Sequence, residues 1–232
     1  MNKNIFFMHI PKCGGTSLKK SLIRAADGGD TFDLDAHASK YVVDLYPKEE
    51  SLHKFRHKLM LYALSSSRYN LVMGHAQFSQ KDFQPFFEKF SFISVVRDPV
   101  ERFLSHYFYN RHKSSDHYKL EDNLENFLVS DQAKGFGNYL VRYFSGRDKK
   151  DDLDTAMLNL KHFSVLGTLE DLPKFQKDFK REFGLQLNIK HDNENPLSAS
   201  DREKLLSGEQ MSLIRKFCED DLKIYNQIRD LP

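Results

Sequence analysis

Three short segments, Ile5–His9, Asn70–Gly74 and Ser91–Val96, are apolar almost without interruption, and Phe163–Gly167 reads the same way. A strand wetted on one face alternates apolar and polar side chains. One covered on both faces need not, and that is the condition of a parallel sheet. Between and after these runs the apolar residues recur with a helical period, at roughly 16–26, 48–66, 79–88 and 99–112. Beyond residue 115 the period is mostly helical, at about 121–130, 132–145, 151–161, 170–183, 201–207 and 209–229. Strand alternating with helix predicts an α/β layer fold: a central parallel sheet flanked by helices through right-handed crossovers, with a mainly helical C-terminal portion.

The 232 residues suffice for a sizeable core, and no repeat or low-complexity run divides them. One domain over 1–232 is expected, with 111–123 and 188–200 as exposed loops. Charged residues make up 29% and hydrophobic ones 40%, as in a soluble globular protein, and a net charge of +2 is too small to argue for nucleic acid. No apolar stretch approaches the roughly 18 residues of a membrane span. Ile5–Met8 is also too short for a signal peptide. Cys13 and Cys218 stand apart, which argues against a disulfide framework or a zinc knuckle and for a reducing, cytoplasmic setting.

The first apolar run ends in Pro11-Lys-Cys-Gly-Gly-Thr-Ser17, after which a helical pattern begins. Gly14 and Gly15 allow backbone N–H groups to approach a ligand without an intervening Cβ. Thr16 and Ser17 place hydroxyls at a helix start, whose unpaired N–H groups and positive dipole end favour phosphate or sulfate. Lys12 adds a mobile point charge. An ordinary strand-to-helix turn would also contain glycines, but the combined string points to an anion cradle.

A second strand-to-helix turn, Ser94-Val-Val-Arg-Asp-Pro-Val-Glu-Arg-Phe-Leu-Ser105, has different chemistry. Asp98 is a good N-cap, Pro99 suits the first helical position, and Glu101 follows in capping-box style. Val100, Phe103, Leu104, Tyr107 and Phe108 form an apolar stripe that belongs to the core. Arg97 ends the strand where open α/β sheets bind ligands, and Ser105 lies off the stripe. Taken alone, Arg97 reads as a salt-bridge partner and Ser105 as surface filler; beside the first turn, the pair could hold a second phosphate.

Both motifs resemble those of sulfotransferases that use 3′-phosphoadenylyl sulfate (PAPS), in particular the glycan O-sulfotransferases of the heparan sulfate 2-O and 6-O type. Their 5′-phosphosulfate loop is similar to His9–Ser17 and their 3′-phosphate motif to Val96–Ser105. Met73-Gly-His75 and Val165–Leu172 are similar too, with a looser likeness around Asp221 and Tyr225. The resemblance implies a P-loop-like fold with Lys12, Cys13, Gly14, Gly15, Thr16 and Ser17 at the 5′ end of the donor and Arg97 with Ser105 at its 3′-phosphate. It also implies in-line sulfuryl transfer to a hydroxyl of a glycan, with a lipid or small metabolite as the other acceptor class, and no metal. Lys12 would assist the leaving group. The glycan enzymes of the Golgi carry a membrane anchor and stem, which are not recognisable here, so a cytoplasmic version is expected. Oligomerisation is left open.

The proton acceptor should titrate near neutrality, which favours His. His75 follows an apolar strand and Gly74 and should project from the same sheet edge as Lys12 and Arg97; a structural His at a strand end is the plain alternative. His9 is the rival, better suited to orienting the loop. His53 and His57 are four residues apart, but without an intervening Glu they suit a solvated basic face better than a metal site. His106, His112 and His117 flank a polar loop, and Arg142 resembles a position near the acceptor cleft. Cys13 stands where the family usually has Thr; beside Lys12 at a helix start its pKa is expected to fall.

Other functions remain in view. A P-loop phosphotransferase needs Gly-x4-Gly-Lys-Ser/Thr, whereas here the Lys precedes the glycines. A Cys-dependent phosphatase needs an Arg six residues beyond the Cys, and Lys19 is there. A catalytically silent nucleotide-binding module would keep the cleft without the chemistry.

Overall fold

The computed structural model describes residues 4–26, 29–46, 51–113, 119–146, 152–189 and 206–232. Among them five strands form one fully parallel sheet: β1 (Asn4–Met8), β2 (Thr31–Asp33), β3 (Leu71–Gly74), β4 (Phe90–Val96) and β5 (Phe163–Thr168), in the order β2-β3-β1-β4-β5. The near-continuous apolar runs have the expected cause, since all seven residues of β4 and all four of β3 are buried. Alternate side chains enter separate cores. Ile5, Phe7, Leu71, Met73, Ile93 and Val95 pack against α1 (Gly15–Ala25) and α10 (Leu172–Phe183). Phe6, Met8, Val72, Phe92 and Val96 face the opposite layer, which holds α3 (Leu52–Ser65), α8 (Tyr139–Ser145), α9 (Leu153–Asn159) and α12 (Glu219–Arg229). A third cluster joins α5 (Pro99–His112) to α6 (Leu124–Leu128), α7 (Asp131–Gly137) and α11 (Gly208–Phe217).

Several boundaries depart from the sequence pattern for local reasons. Strand β2 and α2 (Ala36–Leu45) carry too little apolar signal to read: β2 has three residues, and α2 buries only Ser39. The predicted helix over 132–145 is two, α7 and α8, parted at Asn138 (φ −104°, ψ 45°), where Gly137 lies against the Phe217 backbone. A Cβ there would meet the Phe217 carbonyl oxygen at 2.3 Å. The stretch 209–229 likewise breaks at Cys218 into α11 and α12. The expected helix at 79–88 is α4 (Gln80–Phe83) followed by a 3-10 turn at Gln84–Phe86, where Pro85 lacks the N–H to continue the ladder. Most of the expected 201–207 helix and 188–200 loop lie outside the described residues.

Strand order places β1 between β3, whose chain arrives from one edge, and β4, whose chain leaves toward the other. The chain thus leaves β1 and β4 toward opposite edges of the sheet, a switch point at which open α/β sheets form a ligand crevice beside the strand C-termini.

Candidate active site

The turn after β1 is wound tightly. Lys12 (φ 68°) and Gly14 (φ 71°) both adopt left-handed backbone, and Lys12 is the only non-glycine residue to do so among those described. That conformation costs an L-residue about 1–2 kcal/mol. Gly14 has no such penalty and serves as the N-cap position of α1, with no side-chain cap and no acidic residue in the first turn. The helix start thus presents backbone N–H groups with no carboxylate of its own first turn against them. Gly14 and Thr16 are exposed and Ser17 is half-buried. An anion fits this arrangement; an acidic cap would have excluded it.

Gly15 is required by something the sequence did not show. A Cβ on it would lie 1.7 Å from Nε2 of His9, so the buried His9 ring takes the space a side chain would fill. His9 thereby buttresses the loop, as its place before the turn suggested. Its Nδ1 has no hydrogen-bond partner among the described residues. Burial, then the neighbouring His75, holds its pKa well below the usual value, so the ring is neutral.

Strand register sets Met8 beside Gly74, so His9 and His75 emerge as neighbours. Their rings lie 4.2 Å apart, and Nδ1 of His75 is 2.8 Å from the His9 carbonyl oxygen. A carbonyl only accepts, so Nδ1 carries the hydrogen and Nε2 keeps its lone pair. Burial lowers the His75 pKa to about 4, outweighing the rise due to that hydrogen bond; Arg56 and Lys19 lower it further. The imidazole is therefore neutral throughout the physiological range rather than poised at its midpoint, in contrast to the near-neutral titration expected from sequence.

The second turn lies beside the first. Asp98 caps α5, its carboxylate accepting from the N–H groups of Val100 and Glu101, both at 3.0 Å. The capping box is not closed by Glu101, whose carboxylate pairs with Arg97 Nη2 at 3.2 Å. The Asp98 N–H donates instead to Glu170 at 3.0 Å, and Glu170 also accepts from the Tyr225 hydroxyl at 3.2 Å. Arg97 thus does take a salt-bridge partner, but a guanidinium has five donors and retains capacity for a phosphate. Ser105 is buried, not surface filler. Lys12 feels the Arg97 charge directly: burial, then Arg97, lowers its pKa to about 8, which leaves the ammonium mostly protonated at pH 7.

Cys13 joins the turns. Its thiol is buried, lies 3.7 Å from the Pro11 carbonyl oxygen, and is near enough to Arg97 for that residue to favour its thiolate. The expected fall in its pKa is reversed: burial pushes it up to about 12, against the smaller influence of Arg102 and Arg97. Desolvation of a thiolate here outweighs the helix start and its cationic neighbours.

The remaining histidines separate. His57 is buried, with Nε2 2.8 Å from the Asp82 carboxylate, so it is not part of a solvated face, while His53 is exposed. His106 stacks on Phe136 at 4.0 Å, and burial followed by Arg102 and Lys12 keeps it neutral. His112 is exposed against Phe108, and His117 lies outside the described residues. No group of three or more potential metal ligands occurs among the described residues.

Three groups near the crevice have roles that were not assigned from sequence, where Glu170 and Asp221 entered only within stretches of family likeness. Glu170 braces the Asp98 turn, while Leu169 beside it packs on Gly14, so the β5–α10 turn supports both the Lys12 and the Asp98 turns. Tyr139 and Tyr143 stack at 5.2 Å on α8, near Cys13 and, for Tyr143, Arg56. Asp221, fully buried, accepts the N–H groups of Tyr139, Leu140 and Val141, each at 2.8 Å, and so caps α8 from some 80 residues away. Burial raises the Tyr139 pKa, opposed first by Arg102 and more weakly by Arg142, which is half-buried on α8. A carboxylate opposite a helix start is invisible in a linear pattern.

No helix among the described residues is long and apolar enough to cross a membrane. No curated protein matches the sequence. A solved structure of mouse sulfotransferase SULT7A1 complexed with PAP is similar over 93% of this chain and 64% of that one, at 15% identity and a TM-score of 0.42; this chain spans somewhat less than two thirds of that protein's length. The sequence profile described as the Sulfotransferase family matches residues 1–165, from the first strand into β5, and covers the turns after β1 and β4 and His75. The chain belongs to the Sulfotransferase family.

Proposed function

We propose that the chain moves a sulfuryl group from PAPS to a hydroxyl of a glycan or another alcohol acceptor. The observation that carries this reading is the adjacency of two cation-bearing turns that follow the neighbouring strands β1 and β4 and are both packed by the β5–α10 turn, Leu169 against Gly14 and Glu170 on the Asp98 N–H. The backbone of Gly14–Ser17 with the hydroxyls of Thr16 and Ser17 would hold the 5′ end of the donor, and Arg97 with Ser105 its 3′-phosphate. When bound, PAPS supplies an activated sulfuryl group on a phosphate leaving group.

The residues then divide the work. Lys12, protonated at neutral pH, balances negative charge where the leaving group departs. His75 takes the acceptor's proton at Nε2, the nitrogen left bare by the Nδ1 hydrogen bond to His9. Its low pKa makes it a weak base, but one never lost to protonation above about pH 5. The glycan acceptor follows from the likeness of the motifs to the glycan branch.

Binding of PAP measured by calorimetry, with radiolabelled sulfate transfer from PAPS to a glycan and metabolite array, tests the reading. His75→Ala should lower transfer by about 10²-fold or more while leaving PAP affinity within about twofold. Transfer at the wild-type rate would remove His75 as the base, and failure of the wild type to bind PAP would remove the donor assignment. Binding without transfer to any acceptor would favour a silent module.

A further inference from the structure

Tyr109 sits on α5 four residues beyond Ser105 and eight beyond Glu101, on the side of the helix that follows the Arg97 turn. The stripe aromatics Phe103 and Tyr107 are buried, but Tyr109 is 56% exposed. Its ring face nevertheless has a partner: Nζ of Lys12 lies 3.8 Å from the ring centroid. The left-handed backbone at Lys12 is thus paired with a side chain laid across the crevice onto α5.

We propose that Tyr109 is a positioning residue for Lys12, its ring face holding the ammonium between the two anion turns. A lysine stem has four rotatable bonds and little reason to favour one direction in water. The negative face of an aromatic ring supplies one, and favours the charged form where burial and Arg97 oppose it. Of the other groups near Lys12, His106 is neutral and Arg97 repels it, while Cys13 favours its charged form only as the smallest of the three influences. The ring, not the phenol hydroxyl, is the operative part. This rests on the reading of Lys12 as the residue that assists the leaving group.

Reductive ¹³C-methylation of the lysines, with the Lys12 signal assigned by its loss in Lys12→Arg, tests the contact without any turnover. Wild type and Tyr109→Phe should show the Lys12 methyl resonance shifted upfield by the ring current, and Tyr109→Leu should lose that shift. Because Tyr109 is exposed, the Leu variant should fold, which circular dichroism checks. Sulfate transfer should fall about two- to fivefold in kcat for Tyr109→Leu and recover in Tyr109→Phe. A Lys12 signal unshifted in wild type, or still shifted in Tyr109→Leu, overturns the proposal. Absence of transfer by all three proteins would count against the sulfuryl reading alone and leave the resonance comparison decisive.

Discussion

Replacing Asp221 with Ala should be among the most damaging single changes outside the crevice. Its two carboxylate oxygens take three backbone N–H groups of α8 at 2.8 Å each, and the residue is wholly buried. Asn138, at the helix's own N-cap position, makes no side-chain cap bond. Truncation therefore leaves three amides without acceptors, and the fully buried Arg102 loses the nearby negative charge. An orphaned buried donor costs about 1–3 kcal/mol. Allowing for water entering the vacated space, the loss should be about 3–5 kcal/mol, comparable with breaking a buried ion pair. With a urea slope of about 3 kcal/mol/M, the midpoint should drop by about 1–1.7 M. Asp221→Asn keeps an acceptor oxygen and should lose clearly less. The pH dependence is a second check. Burial lifts the Asp221 pKa to about 6, above its unfolded value, so between about pH 4 and 6 the folded state binds the extra proton. Wild type should therefore gain stability relative to Asp221→Asn as pH falls through that window. An Ala variant whose midpoint stays within about 0.3 M of wild type would refute the argument that these three bonds are shielded from water.

Gly15→Ala should destabilise the protein by about 1–3 kcal/mol, because its Cβ would occupy the His9 ring position. His9→Ala in the same chain should recover much of that loss in thermal melts, and strict additivity of the two changes would contradict the clash. The kcat/KM profile should fall above about pH 8 as free Lys12 loses its proton and should hold down to about pH 4, where His75 becomes charged. Lys12→Arg should retain measurable transfer without the alkaline limb, and persistence of that limb would assign it elsewhere. Cys13 should resist iodoacetamide in the native protein and react on unfolding, since its thiol is buried and held at about 12. Rapid native labelling of Cys13, located by mass spectrometry, would show that burial does not govern it.

Short-range chemistry was legible in the chain itself. Continuous apolar runs marked β1, β3 and β4 because a strand covered on both faces has no polar side to show, while the edge strand β5 interrupts its run with the exposed Ser164. Pro99 after Asp98, and Gly14 before Thr16, marked helix starts because those positions demand a fixed φ or a missing Cβ. Three-dimensional packing decided the rest. It placed His9 over Gly15, turned Glu101 to Arg97 and Glu170 to Asp98, and brought Asp221 beneath α8. It also reversed the expected titration of Cys13 and lowered that of His75, because the cost of a buried charge depends on how much water the surrounding elements exclude. Sequence spacing carries no measure of that exclusion.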